Sequence, residues 1–205
     1  MASRLYTGPL FTKYNAVLRG INSDVPALRK QMLELCCAKP DFEQYLAATA
    51  AATPRSGGGG GAAYEVARAG MNTYTTSLHS VNSAIVKLSK LTYASKVYRG
   101  VSGGRLPPHF RIANEYGVRG GIEYGFSSTT TDRAQAVSYA QGSASTIFEM
   151  QMGMVDRGAD LTWLSQYPHE KEVLLPPLTG LEALETRVSS GMLVIQARLS
   201  LCLLY

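Results

Sequence analysis

The sequence predicts an α+β protein in which two small β-sheets pack on each other and an N-terminal helical lobe covers them. Three observations carry that expectation. Up to about Tyr93 the apolar residues recur at helical spacing. Beyond it the chain breaks into short β-rich runs separated by glycine turns, and one capped helical segment interrupts those runs. At 205 residues with 45% hydrophobic content the chain can bury its own core. Residues 1–93 are expected to form the helical lobe, with a Gly-rich loop at 57–61. Residues 94–205 are expected to form the β-rich core, and the two together one compact domain.

In the first half, NSDVPALRKQMLELCCAKP has Asp24 as a candidate cap, Pro26 in the first turn, apolar Leu28, Met32 and Leu35, and Pro40 as a stop. Asp41 to Ala52 reads as a second helix. The run Gly57 to Gly61, preceded by Pro54, Arg55 and Ser56, reads as a flexible surface loop. It lacks the lysine and the strand-turn-helix setting of a phosphate-cradling loop. In TYTTSLHSVNSAIVKLSKL, Leu78, Val81, Ile85 and Leu88 form one apolar helical stripe.

In the second half, strands are expected in SKVYRGV, GIEYGFSST, STIFEMQM and KEVLLP. A C-terminal hairpin of LEALETRV and MLVIQARLSL turns at Ser189, Ser190 and Gly191. The segment TDRAQAVSYAQG is the interrupting helix, with a Thr/Asp cap and Gly142 as its stop.

Composition narrows the function classes. The net charge is +5, and residues 1–95 carry ten Lys/Arg against five Asp/Glu, whereas residues 96–205 carry ten of each. The basic residues are scattered without aromatic interleaving, which argues for a solvated surface and against nucleic-acid binding. Three cysteines, two adjacent as Cys36 and Cys37, make neither a disulfide framework nor a CxxC metal site, so no metal is expected. The segment MASRLYTGPLF has no leader-like apolar stretch and no run is long enough to span a bilayer. A soluble protein of a reducing compartment, the cytoplasm, is expected, with no membrane partner.

Three clusters carry possible chemistry. In VYRG, Arg99 ends a strand and opens into Gly100, Ser102, Gly103 and Gly104. A rigid guanidinium beside permissive backbone suits two-pronged capture of phosphate oxygens, and an arginine on an edge strand looks the same. In GFSSTTTD, Ser127 to Thr131 are five consecutive hydroxyl residues. Hydroxyls there can orient a ligand and a neighbouring carboxylate, while Thr131 also suits a helix cap. In SQYPHEKEVLLPP, Glu170 and Glu172 flank Lys171 before an apolar run. If that run is extended, both carboxylates share a face and Lys171 points away, which makes either a site or a solvated strand end.

Arginine, then an aromatic-X-Ser-Thr-Thr run, then Glu-X-Glu, in that order on successive strands, resembles the arginine-specific mono-ADP-ribosyltransferases of the Arg-Ser-Glu clade. EVLLPP trailing the last motif and TYTTSLHSVNSAI ahead of the arginine strand extend the resemblance from Tyr74 to the C-terminus, whereas residues 1–60 match only in being helical. The resemblance implies the ADP-ribosyltransferase sandwich fold, NAD as co-substrate and a protein substrate with an exposed arginine. It implies that Arg99 contacts the NAD phosphates and that Gly100 presents backbone to the nicotinamide amide. Ser128 would orient the catalytic Glu172, Thr130 would stand where the family usually has a second serine, and Ser128, Thr129, Thr130 and Glu172 would bind NAD together with Arg99 and Gly100. Glu170 would be the upstream glutamate of members that act on arginine. The segment Asp160 to His169, with Trp163 and Tyr167, would meet the protein substrate.

The chemistry suits these groups. Cleavage between nicotinamide and ribose leaves positive charge on the sugar, which a carboxylate at Glu172 would stabilise. A guanidinium, with a pKa above roughly 12, must be bound and deprotonated, which suits Glu170. Three rivals are a glycosidase, a non-catalytic NAD-binding module and an NAD hydrolase. A glycosidase needs its carboxylates on opposite sides of the substrate, and a mere binding module has no use for the complete set. Hydrolysis needs Glu172 but not Glu170, so it can coexist with transfer.

Overall fold

The structure is a computed structural model that describes residues 6–51, 59–103, 106–142 and 144–201. The chain forms two compact units, one spanning Pro9–Leu78 and the other comprising the described residues up to Gly8 together with those from His79 onward. The division falls inside a helix, ahead of the change in sequence character at Tyr93. None of the described helices is long and apolar enough to cross a membrane.

The helical unit contains α1 (Phe11–Gly20), α2 (Pro26–Cys36), α3 (Lys39–Ala51), α4 (Gly59–Ala69) and the start of α5 (Thr75–Ser89). Val17, Met32, Leu33, Cys36, Tyr64, Ala67 and Met71 form its core. Pro26 occupies the first turn of α2 as expected, but the cap position is Val25 and no side chain caps it. Asp24 instead accepts from Arg29 Nη2 at 2.8 Å. Pro40 does not stop α2. It lies in the first turn of α3, where its missing N–H costs nothing. The expected glycine loop is also revised, because Gly59 to Gly61 begin α4. Gly57 and Gly58 lie outside the described residues.

The second unit is built on eight strands, β1 (Lys96–Val101), β2 (Gly120–Glu123), β3 (Ser127–Thr130), β4 (Thr146–Gln151), β5 (Ala159–Asp160), β6 (Glu172–Leu175), β7 (Thr179–Ser189) and β8 (Met192–Leu201), with one helix, α6 (Arg133–Tyr139). Their order is β2-β7-β8-β4-β1-β3-β6-β5. The two expected sheets are continuous by hydrogen bonding, but the junction between β1 and β3 is one residue pair, Tyr98 with Thr130. The five strands on one side and three on the other are therefore nearly separate. Val97, Phe148, Met150, Ile195, Ala197 and Leu199 from the larger part share one core with Val173 and Leu175 of β6. This is the α+β sandwich in physical form.

The run GIEYGFSST does not form one strand. Its first residues pair with β7 as β2 and its last pair with β1 and β6 as β3, so the chain crosses from one sheet to the other through Tyr124–Phe126. Phe126, 1% exposed, packs edge-on against Tyr6 at 5.1 Å and anchors that crossing. The hairpin β7–β8 forms as expected, with Ser190 and Gly191 both at positive φ (52° and 75°), which matches the right-handed twist of its strands.

In β1 the alternation aims Val97, Arg99 and Val101 toward the core side and Tyr98 and Gly100 toward the opposite face. On that opposite face lies α6. A Cβ on Gly100 would stand 1.9 Å from the carbonyl oxygen of Ala136. Gly100 is thus required by the close approach of helix to strand. Gly100→Ala is expected to destabilise the protein by about 2–3 kcal/mol, lowering Tm by roughly 5 °C or more. Thermal unfolding followed by circular dichroism measures this.

Candidate active site

The site grows from the split between β1 and β3. Arg99 projects beside β3, where Nη1 donates to Ser127 Oγ at 2.8 Å and to the Ser128 carbonyl at 3.2 Å. Its Nη2 lies 3.9 Å from Glu123 Oε2. Glu123 Oε1 in turn accepts from the Gly125 N–H at 2.9 Å. The guanidinium is therefore aimed by β3 and faces an anion at the end of β2.

Along β3 the side chains divide by face. Thr130 pairs with Glu172 in the β3–β6 ladder, so Ser128, two residues away, shares a face with Glu172. Ser128 Oγ donates to Glu172 Oε1 at 2.7 Å. On the other face Thr129 Oγ1 donates to the Val173 carbonyl at 2.6 Å and fastens β3 to β6. Thr130 Oγ1 accepts from the Asp132 N–H at 2.9 Å and turns the chain into α6. Of the hydroxyl run, Ser127 serves Arg99, Ser128 serves Glu172, and Thr129 and Thr130 hold the backbone that carries them.

Glu172 is 6% exposed. Burial pushes its carboxyl above the ordinary carboxylate range, the Ser128 hydrogen bond pulls the other way, and the neighbouring negative charge of Glu170 pushes up again.

Glu170 and Glu172 do come together, though not by strand alternation. Pro168–Glu170 is a turn of 3₁₀-helix, Lys171 is left-handed (φ 47°, ψ 48°), and β6 begins only at Glu172. Pro168 favours this turn, because its fixed φ suits the first helical position. Lys171 is not a mere spacer either. Its Nζ lies 3.2 Å from Asp132 Oδ2, the cap of α6. The Glu170 carboxylate accepts a hydrogen bond from the Tyr139 hydroxyl at the other end of α6.

The segment before Glu170 is exposed yet braced. Trp163 is 69% and Tyr167 50% exposed. The Leu164 and Ser165 N–H groups donate to the Leu161 carbonyl at 2.8 and 2.7 Å, and the Gln166 N–H donates to Thr7 Oγ1 at 3.4 Å. Tyr167 meets His169 edge-on at 6.3 Å. Two aromatic side chains thus stand in solvent on the braced segment that leads into Glu170.

Sequence reasoning did not single out Ser127, Glu123 or Tyr139. A signal existed for Tyr139, seven residues after the cap Asp132 and so on the same helical face. For Glu123 none existed, because it reaches Arg99 only through the sheet crossing.

A sandwich whose two sheets part at an arginine strand, with a serine-held buried glutamate across the gap, is the architecture of NAD-dependent ADP-ribosyltransferases. The sequence model described as NAD:arginine ADP-ribosyltransferase matches residues 52–198, and the chain belongs to that family. Its activity class is mono-ADP-ribosyl transfer from NAD. Among solved structures, the ATR domain of Salmonella SpvB is similar over 98% of this chain and 97% of its own, at 18% identity and TM-score 0.55. The catalytic domain of VsdC from Aeromonas hydrophila is similar over 97% of each chain, at 18% identity and TM-score 0.52. The ADP-ribosyltransferase HopU1 of Pseudomonas syringae pv. tomato is 24% identical over 62% of this chain, with TM-score 0.52, and the match spans 54% of its length. At these identities the likeness is one of fold. A search of curated proteins finds no match.

The raised pKa of Glu172 makes a stability prediction. Between the ordinary carboxylate value and the raised native one, the folded protein binds more protons than the unfolded chain. Glu172 therefore contributes stability that is fully present below its unfolded pKa and is lost as pH rises through the native value. Glu172→Gln, which keeps the shape and can accept from Ser128, is expected to melt at a higher temperature than the wild type at pH 7–8. The advantage is expected to disappear on lowering the pH below about 4. Parallel melting curves across that range measure it.

Proposed function

We propose that the protein transfers ADP-ribose from NAD to the guanidinium of an arginine in a protein acceptor, releasing nicotinamide. The observation that carries this reading is that β3 holds both groups, Arg99 through the Ser127 hydroxyl and the Ser128 carbonyl and the buried Glu172 through the Ser128 hydroxyl, with a second carboxylate, Glu170, two residues before Glu172.

NAD is the substrate here, and the donor set fits its diphosphate. The Arg99 guanidinium stands 3.9 Å from the Glu123 carboxylate, so it already presents its positive charge to one anion, with which a phosphate would compete. A phosphate oxygen in that position gains a charge-assisted hydrogen bond from a guanidinium aimed beforehand. Beyond Tyr98 no described strand covers the β3-side edge of β1, which leaves the Gly100 backbone for the nicotinamide amide.

When the bond between nicotinamide and ribose breaks, its electron pair leaves with nicotinamide and positive charge develops on the sugar. Glu172, fixed by Ser128 in a water-poor setting, stabilises that charge. The same burial means that Glu172 must lose its proton first, so activity falls on the acid side at a pH above the ordinary carboxylate range. Glu170 binds the incoming guanidinium and takes the proton released as nitrogen bonds to the ribose carbon. Trp163 and Tyr167 form the surface that meets the acceptor protein.

Incubation with labelled NAD and either polyarginine or agmatine, with free nicotinamide measured in parallel, tests the reading. Glu172→Gln is expected to lose transfer and hydrolysis together, by about 10²–10³-fold. Near wild-type nicotinamide release by this variant would overturn its assignment. Glu170→Gln is expected to uncouple them: transfer falls by about 10² or more while hydrolysis changes far less, because water needs little activation against the sugar cation. Equal loss of both would put Glu170 in NAD binding or in structure. Arg99→Lys is expected to raise KM for NAD about tenfold with a smaller change in kcat, since lysine keeps the charge without the planar fork. An unchanged KM would remove Arg99 from the phosphate site.

A further inference from the structure

We infer that Tyr139 is a positioning residue for the acceptor carboxylate, and that α6 acts as a clamp setting where Glu170 stands relative to Glu172. This rests on the reading of Glu170 as the group that binds arginine.

The clamp has two jaws. Asp132, the cap of α6, accepts from the Ala134 N–H at 3.0 Å and pairs with Lys171 Nζ at 3.2 Å. Tyr139, two helical turns on and therefore on the same side, donates its hydroxyl to Glu170. The helix thus grips adjacent residues of the turn that leads into Glu172. Next to the first jaw, the Thr131 N–H donates to the Lys171 carbonyl at 3.4 Å.

The clamp is rigidly mounted. Ala136, midway along α6, is 1% exposed and its carbonyl lies over the bare Cα of Gly100, the neighbour of Arg99. At the first turn Arg133 Nε donates to Glu149 Oε1 at 3.1 Å, and Arg187 Nη2 of β7 donates to Glu149 Oε2 at 2.8 Å. Glu149 is 7% exposed. Burial alone would raise its carboxyl, but the hydrogen bonds and charges of the two arginines together hold it below its usual value. A buried carboxylate held at both oxygens fixes the helix to two strands of the larger sheet.

What the clamp does follows from the turn it holds. Glu170 ends a single 3₁₀ turn on an exposed segment and Lys171 is left-handed, so the backbone alone leaves the Glu170 side chain free to swing. The phenol removes that freedom. It remains a donor at neutral pH, because its hydrogen bond to Glu170, its partial burial and the nearby carboxylates all push its pKa above that of free tyrosine. With Oε1 occupied by Tyr139, the second oxygen of Glu170 is the one left to receive the guanidinium and its proton. Water as acceptor gains nothing from this arrangement, so Tyr139 bears on the choice between arginine and water.

The test is Tyr139→Phe in the full chain, which removes one hydroxyl. Agmatine modification and nicotinamide release are measured for the wild type, Y139F, E170Q and the double variant. The ratio of transfer to hydrolysis is expected to fall about tenfold in Y139F, with the loss in KM for agmatine and in transfer kcat, while KM for NAD moves less than about twofold. In the E170Q background the same substitution is expected to change the ratio no further, because the hydroxyl has lost its charged partner. A Y139F ratio equal to that of the wild type overturns this inference and leaves the proposed function intact. So does a parallel rise in KM for NAD, or a Y139F protein that fails to fold, either of which makes Tyr139 a support for α6 alone. A wild-type protein that releases nicotinamide without modifying agmatine overturns both.

Discussion

Everything at this site depends on keeping one carboxylate buried beside one hydroxyl. Glu172 is taken almost wholly out of water at the first residue of β6, and Ser128 is the side chain that donates to it. An uncompensated buried charge costs several kcal/mol, so the surrounding structure must over-determine its position. Register does this. The pairing of Thr130 with Glu172 puts Ser128 on the same face, and Thr129 bonds the next residue of β6 through its carbonyl. A shift of one residue would bring Val173 to that face and drive the carboxylate into the core.

The same architecture explains why a ligand can reach so buried a group. Strand β1 is paired along its length with β4 but meets β3 at one residue pair. The missing ladder opens the sandwich at its waist. Arg99 reaches that opening from the core side of β1, where strand alternation places it between Val97 and Val101. A fully zipped β1–β3 ladder would be more stable and would close the site.

Much of this can be read from the sequence, and what cannot has identifiable causes. The order of an arginine strand, a hydroxyl run and a Glu-X-Glu motif survives as the sequence of strands β1, β3 and β6, since each motif is local and its strand propensity is strong. The cap at Asp132 and the turn at Ser190–Gly191 are also local chemistry and are found where expected. Glu170 and Glu172 do not share a strand, because Pro168 starts a 3₁₀ turn that ends at Glu170 and leaves Lys171 between it and β6. Pro40 reads equally as an end or a beginning, and only the helix that follows decides. GIEYGFSST has unbroken strand propensity, and its division comes from Phe126 burying against Tyr6, a residue far away in sequence. Glu123 and Tyr139 meet Arg99 and Glu170 through contacts that only the assembled sheet creates.

Lys171 shows how the two kinds of information meet. A left-handed conformation costs a side-chain-bearing residue about 1–2 kcal/mol, and glycine would avoid that cost. An exposed ion pair such as that with Asp132 contributes little net stability, so it is not compensation in kind. The residue is held in place from outside: by the Thr131 N–H on its carbonyl, by its own N–H on the Pro168 carbonyl at 3.2 Å, and by the β6 ladder that starts at its neighbour. What the lysine adds is direction, tying the turn to the end of α6 opposite Tyr139. Strain at this point is therefore a consequence of bringing two carboxylates together across a bend, where an extended strand would have held them at the fixed spacing of the pleat.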